Sequence, residues 1–376
     1  MSDTPSRRAR LRQLGIGIGA LETGAENAIS DVPGVLVGHA TVIRDHPVPV
    51  RTGITMIVPR AGEIWTDYAY AGSHVLNGNG EMTGLTWVEE SGMLGSPVGI
   101  TSTAQVGLVR DSLVKESYRL GVFEGFHLPV VGETWDGWLS TAESFPLTDA
   151  EVAESLGSAA AGPVAEGSVG GGTGMICHEF KSGIGTSSRL VEGGGERHTV
   201  GVLVQANYGK RDWLRVDGVP VGAEIPTAEI PSPYDAVRRP GASSPPPGSG
   251  SIIVVVATDA PLLPHQCERL AQRAGLGVAR AGGTGGHTSG DLFIAFATGN
   301  RLPTEADEHR PATLPYDVRA VGDGVIDALF DGVIEATEEA IVNALVAATT
   351  VVGRDGITAH AIPHNRLTEV MRAAGR

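Results

Sequence analysis

The chain contains short runs of aliphatic residues that stop at turn-forming residues, and these runs predict β-strands. Four of them occupy residues 35–42, 53–58, 251–258 and 292–298. Two more, at residues 184–191 and 198–206, flank three consecutive glycines, a pattern typical of a β-hairpin. Asn207 therefore lies at the end of a predicted strand.

Apolar residues recur at helical spacing in four other segments, which predict helices at residues 106–118, 150–160, 263–279 and 326–348. Asp149 is the expected N-terminal cap of the second helix, and Asp323 or Asp327 that of the fourth. Hairpins combined with long amphipathic helices predict helices on the outer faces of stacked sheets. The expected fold class is an α+β sandwich of four layers.

Composition narrows the class of partner. A formal charge of -15 over 376 residues disfavours binding to nucleic acid or to an anionic membrane, and a small uncharged or cationic ligand fits better. The 53 glycines form separate clusters, as expected of a turn-rich globular protein. No apolar run reaches the length of a membrane span, and the N-terminal segment lacks a secretory core, so a soluble, cytoplasmic protein is expected.

Neither a metal nor a nucleotide cofactor is expected. His360 and His364 have the spacing of a metal-binding pair on a helix, but Pro363 intervenes. The glycine clusters at 170–174 and 282–286 lack the Lys-Ser/Thr of a phosphate-binding loop and the downstream acid of a dinucleotide site. A nucleotide-binding protein is therefore the weaker interpretation.

The sharpest boundary in the chain lies at Ser251. Residues 241–250 are only Gly, Ala, Ser and Pro, so this strap cannot bury apolar surface, and the predicted strand follows at once. A stretch of this composition is most often a linker. Cleavage between Gly250 and Ser251, however, would free an α-amine of near-neutral pKa beside the Ser251 hydroxyl. The residue would then hold both a nucleophile and its base.

Several segments in chain order resemble the self-processing aminopeptidases typified by the L-aminopeptidase/D-amidase-esterase and the β-peptidyl aminopeptidases. They are residues 30–39, 77–81, 170–175, 205–209, 250–251 and 282–291. The resemblance extends from about residue 12 to the C-terminus. It implies an αββα architecture like that of N-terminal nucleophile hydrolases, with its own strand connectivity. It also implies one domain built from two fragments, residues 1–250 and 251–376.

The resemblance implies that Ser251 attacks an acyl carbonyl while its own amine carries the proton. The Asn207 amide is the expected donor to the oxyanion; the alternative is an Asn that stabilises the turn before Gly209. Ser289 and Asp291 are expected to orient the Ser251 amine, although relatives often carry Glu in place of Asp291.

Three further residues are expected in the substrate pocket. The resemblance implies selection for a free substrate amine, and Glu133 lies where the family places a carboxylate for it. Trp135 and Trp138 are expected to wall the side-chain pocket, the alternative being core aromatics. These expectations describe a hydrolase that releases N-terminal amino acids, including D- or β-amino acids, from short peptides, amides or esters.

The sequence leaves two alternative functions open, and the resemblance also implies an oligomeric state. One alternative is an acyltransferase like the self-processing ornithine acetyltransferases, but those use threonine where this chain has Ser251. The other is a non-catalytic small-molecule binding protein. The resemblance implies a homo-oligomer, either a tetramer of cleaved heterodimers or a larger ring.

Overall fold

The fold was analysed in a computed structural model, which describes residues 8–61, 64–121, 127–237, 250–302, 304–305, 310–311 and 315–376. Of the strap predicted at residues 241–250, only Gly250 lies within the described residues, and it begins a strand. The strap itself therefore stays a prediction.

Two β-sheets form the centre of the molecule. Their strands are β1 (Leu36–Arg44), β2 (Val50–Val58), β3 (Ala69–Gly78), β4 (Met93–Leu94), β5 (Val98–Ser102), β6 (Val130–Thr134), β7 (Ile184–Gly193), β8 (Glu196–Asn207), β9 (Gly250–Thr258) and β10 (Ser289–Ala297). One sheet has the order β1-β2-β5-β6, and the other has the order β4-β3-β10-β9-β8-β7. Two-residue strand pairs are Ile176–Cys177 with Phe180–Lys181, Thr304–Glu305 with Arg310–Pro311, and Val351–Val352 with Thr358–Ala359.

Helices cover the outer face of each sheet. The helices of the described residues are α1 (Leu85–Ser91), α2 (Val106–Leu120), α3 (Asp149–Gly157), α4 (Val221–Glu224), α5 (Pro264–Arg280), α6 (Asp323–Ala347) and α7 (His364–Ala373). Helices α5 and α6 pack on the six-stranded sheet, and α2 and α3 pack on the four-stranded sheet. The predicted four-layer αββα sandwich is therefore confirmed.

Strand β9 is buried on both faces, as its unbroken aliphatic sequence predicts. Ile252, Val254 and Val256 belong to the core beneath α5 and α6, whereas Ile253 and Val255 belong to the core that includes the four-stranded sheet. Because side chains alternate along a strand, Ser251 points with Ile253 toward the space between the two sheets.

The helix caps differ from those predicted. Thr148 caps α3 by accepting a hydrogen bond from the Ala150 amide, and Asp149 is the first helical residue. Asp149 instead binds the Lys115 ammonium at 2.8 Å. Helix α6 begins at Asp323 after Gly322, with no side-chain cap, so Asp323 and Asp327 both lie inside the helix. Helix α3 also ends at Gly157, three residues before the predicted end.

The N-terminal segment is tied to the core by an ion pair with a buried carboxylate. Arg12 contacts Glu339 of α6 at 2.8 Å, and the same carboxylate receives Arg189 of β7 at 2.8 Å. Arg189 is fully buried and also contacts Glu335 at 3.0 Å. Glu339 therefore links the N-terminal segment and the six-stranded sheet to the outer helix α6. Among the described residues, no helix is both long and apolar enough to cross a membrane.

Candidate active site

Three adjacent strand ends meet at Ser251. Asn207 at the end of β8 lies opposite Ser251 in the antiparallel ladder, and Gly290 of β10 lies opposite it in the parallel ladder. The Ser251 hydroxyl accepts a hydrogen bond of 3.3 Å from the Gly290 amide, and the residue is 8% exposed. The nucleophile predicted from sequence is thus held at the edge of the sheet by backbone contacts on both sides.

Gly250, immediately before Ser251, has a backbone conformation and a packing that require glycine. Its φ is 138°, in a region that L side chains rarely adopt. A β-carbon there would lie 2.3 Å from the Asn207 carbonyl oxygen and 2.6 Å from the Tyr208 α-carbon. The Gly250-Ser251 peptide is therefore pressed against the strand end that carries Asn207.

The Asn207 side chain is fixed by two backbone contacts. Its Oδ1 accepts from the Ile176 amide and its Nδ2 donates to the Trp135 carbonyl, each at 2.9 Å. An Asn amide has two hydrogens on nitrogen, so one remains for another acceptor. Asn207 and Ser251 are cross-strand partners, and their side chains lie on the same face of the sheet. The geometry suits a fixed donor to an oxyanion formed near Ser251.

Ser289 and Asp291 form a hydrogen-bonded pair on the other face of the sheet. The Ser289 hydroxyl donates to Asp291 Oδ1 at 2.6 Å, and Asn77 Nδ2 donates to Oδ2 at 2.9 Å. Burial raises the pKa of the Asp291 carboxyl above its ordinary value, while the two donors oppose that shift. Because Ser289 lies opposite Gly250 in the ladder, the pair lies beside the strand residues Gly250 and Ile252 that flank Ser251.

Glu133 lies at the same edge, on β6 of the other sheet. Its carboxylate accepts from the Glu81 amide at 2.9 Å and from the Thr103 hydroxyl. Burial raises the pKa of Glu133, against the effect of these two donors. The packing around Gly80 is tight, since a β-carbon there would lie 3.1 Å from the Gly290 α-carbon and 3.2 Å from Glu133 Oε1. Residues 79–81 thus connect Glu133 to the strand beside Ser251.

Trp135 and Trp138 form an aromatic cluster with Tyr234. The Trp135 and Trp138 rings meet edge to face with centroids 5.3 Å apart, and Trp138 meets Tyr234 at the same separation. Trp135 is 44% exposed, and its carbonyl binds Asn207. A partly exposed ring, on the residue whose carbonyl binds Asn207, fits a pocket wall better than a core position.

The glycine-rich turn Gly170–Gly174 lies just before Ile176, whose amide binds the Asn207 side chain. β-carbons at Gly171 and Gly172 would lie 2.2 Å from Gln205 Oε1 and 2.4 Å from the Ile184 amide nitrogen, so close packing requires glycine here. The buried Lys181 ammonium binds the carbonyls of Gly172 and Met175 at 3.2 and 3.0 Å. This turn therefore packs against strands, unlike a phosphate-binding loop, and leads directly to the Ile176 amide that holds Asn207.

Three residues that contact the predicted site residues or the turn beside them were not predicted from the sequence: Asn77, Thr103 and Lys181. Asn77 belongs to the segment 77–81 that carries the resemblance, which was the available signal. Thr103 carries no local signal, because its role depends on a contact with Glu133 on another segment. Lys181 binds carbonyls close by in the sequence, but a single lysine beside a glycine cluster does not indicate a buried ammonium. In the part of the chain that the structure describes, no group of three or more His, Cys, Asp or Glu side chains is arranged to hold a metal ion.

Comparison with known proteins gives consistent similarities over nearly the whole chain. A model described as peptidase family S58 matches residues 27–359. The β-peptidyl aminopeptidase BapA of Sphingosinicella microcystinivorans is 43% identical over 373 residues, which cover 96% of this chain and 92% of that protein.

Two solved structures are similar at both the sequence and the fold level. A β-aminopeptidase from Burkholderia sp. is 47% identical with a TM-score of 0.89, covering 98% of this chain and 99% of that one. The L-aminopeptidase D-Ala-esterase/amidase of Ochrobactrum anthropi is 43% identical with a TM-score of 0.88 and the same coverages. The latter is described as a prototype of the serine aminopeptidases and a variant of the Ntn hydrolase fold.

Proposed function

The chain belongs to peptidase family S58 and is an aminopeptidase of the Ntn hydrolase fold, and from this premise we propose that it cleaves itself between Gly250 and Ser251. The new N-terminal serine then hydrolyses short peptides, amides or esters that carry a free amine. The family membership argues against a non-catalytic binding protein and against an acyltransferase.

The observation that carries the proposal is the position of Ser251. Ser251 lies at a strand end between Asn207 and Gly290, directly after a glycine with φ of 138°, and its hydroxyl accepts from the Gly290 amide. These are the parts that an N-terminal nucleophile needs: a hydroxyl, an adjacent scissile peptide and a fixed donor for the oxyanion.

Self-cleavage proceeds through an ester. The Ser251 Oγ attacks the Gly250 carbonyl carbon, the C–N bond breaks, and the hydroxyl proton passes to the departing Ser251 nitrogen. The product is an ester between the Gly250 acyl group and Ser251 Oγ, with a free α-amine on Ser251. Water then hydrolyses this ester, which leaves a carboxylate on Gly250 and restores the hydroxyl.

Turnover uses the same atoms. The Ser251 amine takes the proton from Oγ as Oγ attacks the substrate carbonyl, and the Asn207 Nδ2 hydrogen stabilises the oxyanion. The amine returns the proton to the leaving group, and water hydrolyses the acyl-enzyme. Ser289 and Asp291 hold the amine in place and stabilise its protonated form.

Glu133 selects substrates with a free amine. A carboxylate has about four acceptor sites, and the Glu81 amide and the Thr103 hydroxyl occupy two of them. The remaining sites bind the substrate ammonium, with Trp135 and Trp138 as a wall for the first side chain. The names of the similar proteins, which mention β-peptides, L-amino acids, and D-Ala esters and amides, define the substrates to test first.

The two fragments remain one folded unit after cleavage. Strand β9 of the second fragment lies between β8 of the first and β10, so the six-stranded sheet holds the fragments together. We expect the cleaved pair to assemble further into a homo-oligomer, which light scattering on the purified protein measures directly.

Mass spectrometry and N-terminal sequencing of untagged protein test the proposal. We expect two chains, the second beginning at Ser251, together with hydrolysis of aminoacyl amides. Ser251→Ala should stay a single inactive chain, while Ser243→Ala, in the strap, should be cleaved like the wild type. Cleavage or turnover in Ser251→Ala contradicts the proposal.

A further inference from the structure

A β-bulge brings Asn77 to the face of the sheet that carries Ser289 and Asp291, opposite the face of the Ser251 side chain. In the pairing of β10 with β3, Asp291 lies opposite Asn77, but Leu292 lies opposite Val75, so Leu76 is an extra residue. Without it, the alternation along β3 would turn Asn77 to the same face as Val75. The bulge therefore places the Asn77 side chain on the face that carries Asp291, and bulges beside active sites commonly redirect a side chain in this way.

Asn77 is held from both directions. Its Nδ2 donates to Asp291 Oδ2 at 2.9 Å, while Oδ1 of the same carboxylate accepts from the Ser289 hydroxyl. On the other side lies the glycine-rich loop 282–288, where a β-carbon on Gly285 would lie 3.3 Å from Asn77 Nδ2. Each Asp291 oxygen thus has its own side-chain donor.

We propose that Asn77 is a positioning residue for the reaction, which fixes Asp291 so that the Ser289 hydroxyl stays oriented toward the Ser251 amine. This inference rests on the proposed function, because it needs Ser251 to be an N-terminal nucleophile. Asn77 contacts no reacting atom itself. It acts through Asp291, whose Oδ2 accepts from Asn77 while Oδ1 accepts from the Ser289 hydroxyl.

The electrostatics near Asp291 support this role. Donation to a buried carboxylate favours its ionised form, so the Asn77 amide opposes the effect of burial on the Asp291 pKa. From the end of β8, Tyr208 also interacts with Asp291, but burial raises the Tyr208 pKa far above neutral. His287, in the preceding loop, is exposed, and no ion pair to Asp291 is found among the described residues.

The nearest groups on other elements are Glu133 and the amine of Ser251. Gly80 lies between the Glu133 carboxylate and the backbone of Gly290 in β10. The Ser251 amine arises on β9 only after cleavage, and it gains its positive charge beside the Ser289 and Asp291 pair. An ionised Asp291 is therefore the charge that balances this amine.

The test is the pH dependence of kcat/KM in purified, cleaved variants. Asn77→Ala removes the donor, and Asn77→Asp replaces it with a second carboxylate of the same shape, so that the pair must share a proton. The acid limb follows the Ser251 amine, which must be neutral to accept the Oγ proton, and its titration is coupled to the carboxylates beside it. Asn77→Ala removes a donor that disperses the Asp291 charge, and Asn77→Asp adds a second carboxylate, so both favour the protonated amine and move the acid limb to higher pH. We expect a shift of about half a pH unit for Asn77→Ala and about one unit or more for Asn77→Asp.

Matched variants separate this role from a structural one. Asn79→Ala loses a hydrogen bond of 2.7 Å to the Thr288 carbonyl in the same segment, and it should leave the acid limb unchanged. Asp291→Asn removes the carboxylate that favours the protonated Ser251 amine, so the acid limb should move to lower pH and the plateau should fall. If Asn77 has only a structural role, Asn77→Ala should lower kcat/KM more than Asn77→Asp does. If Asn77 positions Asp291, Asn77→Asp should have the larger effect.

The outcomes also distinguish this inference from the proposed function. A wild-type chain that is never cleaved at Ser251 contradicts both. A cleaved and active wild type, with acid limbs unmoved in Asn77→Ala and Asn77→Asp, contradicts the inference alone. Should Asn77→Asp fail to fold, the shift in Asn77→Ala relative to Asn79→Ala still decides the question.

Discussion

The Glu133 carboxylate is placed by contacts from two other segments, which makes it a rigid acceptor. The Glu81 amide and the Thr103 hydroxyl hold its two oxygens, and the side chain is 3% exposed. Because its orientation is fixed before substrate arrives, little conformational entropy is lost when an ammonium binds. Its role in the proposed function can therefore be tested by a change of charge alone.

Glu133→Gln should raise KM for aminoacyl amides about 10- to 100-fold and change kcat little, because a hydrogen bond to a charged group contributes about 1.5–3 kcal/mol. Glu81→Gln is the matched control, since only the Glu81 backbone contacts Glu133 in the hydrogen-bond pattern. Steady-state kinetics on a free-amine substrate measure both. An unchanged KM in Glu133→Gln removes Glu133 from the pocket.

The pH dependence of this contact has a definite sign. Burial raises the pKa of Glu133, so its carboxylate protonates at a higher pH than an exposed glutamate does. The affinity for the substrate ammonium should therefore fall as the pH drops through that raised pKa. The same fall should be absent in Glu133→Gln, which has no carboxyl group to titrate.

At the scale of elements, the start of β9 depends on its contact with the end of β8. Gly250→Ala places a β-carbon 2.3 Å from the Asn207 carbonyl oxygen, and the backbone must move to relieve this contact. Because Ser251 follows directly, the scissile peptide moves with it. We expect self-cleavage to slow at least about tenfold, because the Ser251 hydroxyl and the Gly250 carbonyl would lose their alignment.

The rate of cleavage, followed by gel electrophoresis of freshly purified precursor, measures this effect. Gly218→Ala is the control, because Gly218 has φ of 79° but nothing within 4 Å of its β-carbon position. The control bears backbone strain far from the scissile peptide and should be cleaved at the wild-type rate. Cleavage of Gly250→Ala at that same rate would show that the close contact is unimportant.

Element patterns also explain which parts of the site could be predicted. Strand β9 and the hairpin of β7 and β8 follow from local sequence, and they place Ser251 and Asn207 at strand ends. Asn77 could not be found in this way, because the face it occupies depends on the bulge at Leu76. A bulge is specified by pairing with a distant strand, and the local period of two gives the wrong face.

The whole molecule depends on contacts between its N-terminal segment, the six-stranded sheet and the outer helix α6. Glu339 receives both Arg12 and Arg189, and each of these arginines comes from a different layer or segment. Burial alone would raise the pKa of Glu339, but the two arginines outweigh it and lower the pKa. The hydrophobic pattern of the sequence gives no sign of this cluster, because Glu339 occupies a buried helical position that apolar residues normally fill.

Arg189→Met should therefore lower the free energy of unfolding more than the loss of an exposed ion pair does. Removing one partner of a buried ion pair costs about 3–5 kcal/mol, and Arg12, which still reaches Glu339, reduces the loss toward the lower value. Arg197→Met breaks exposed pairs on β8 to Glu22 and Glu192 and should cost less than about 1 kcal/mol. Denaturant unfolding in the Ser251→Ala background, which we expect to remain one chain, gives both free energies.

The pH dependence of unfolding tests the same cluster independently. A carboxyl whose pKa is lowered by folding stabilises the protein above its ordinary pKa, and that contribution is lost as the pH falls through the lowered value. The difference in unfolding free energy between the parent and Arg189→Met should therefore be largest near neutral pH and shrink in acid. A difference that does not vary with pH would mean that Arg189 stabilises the fold by packing, since the charge on Glu339 would then contribute nothing to the loss.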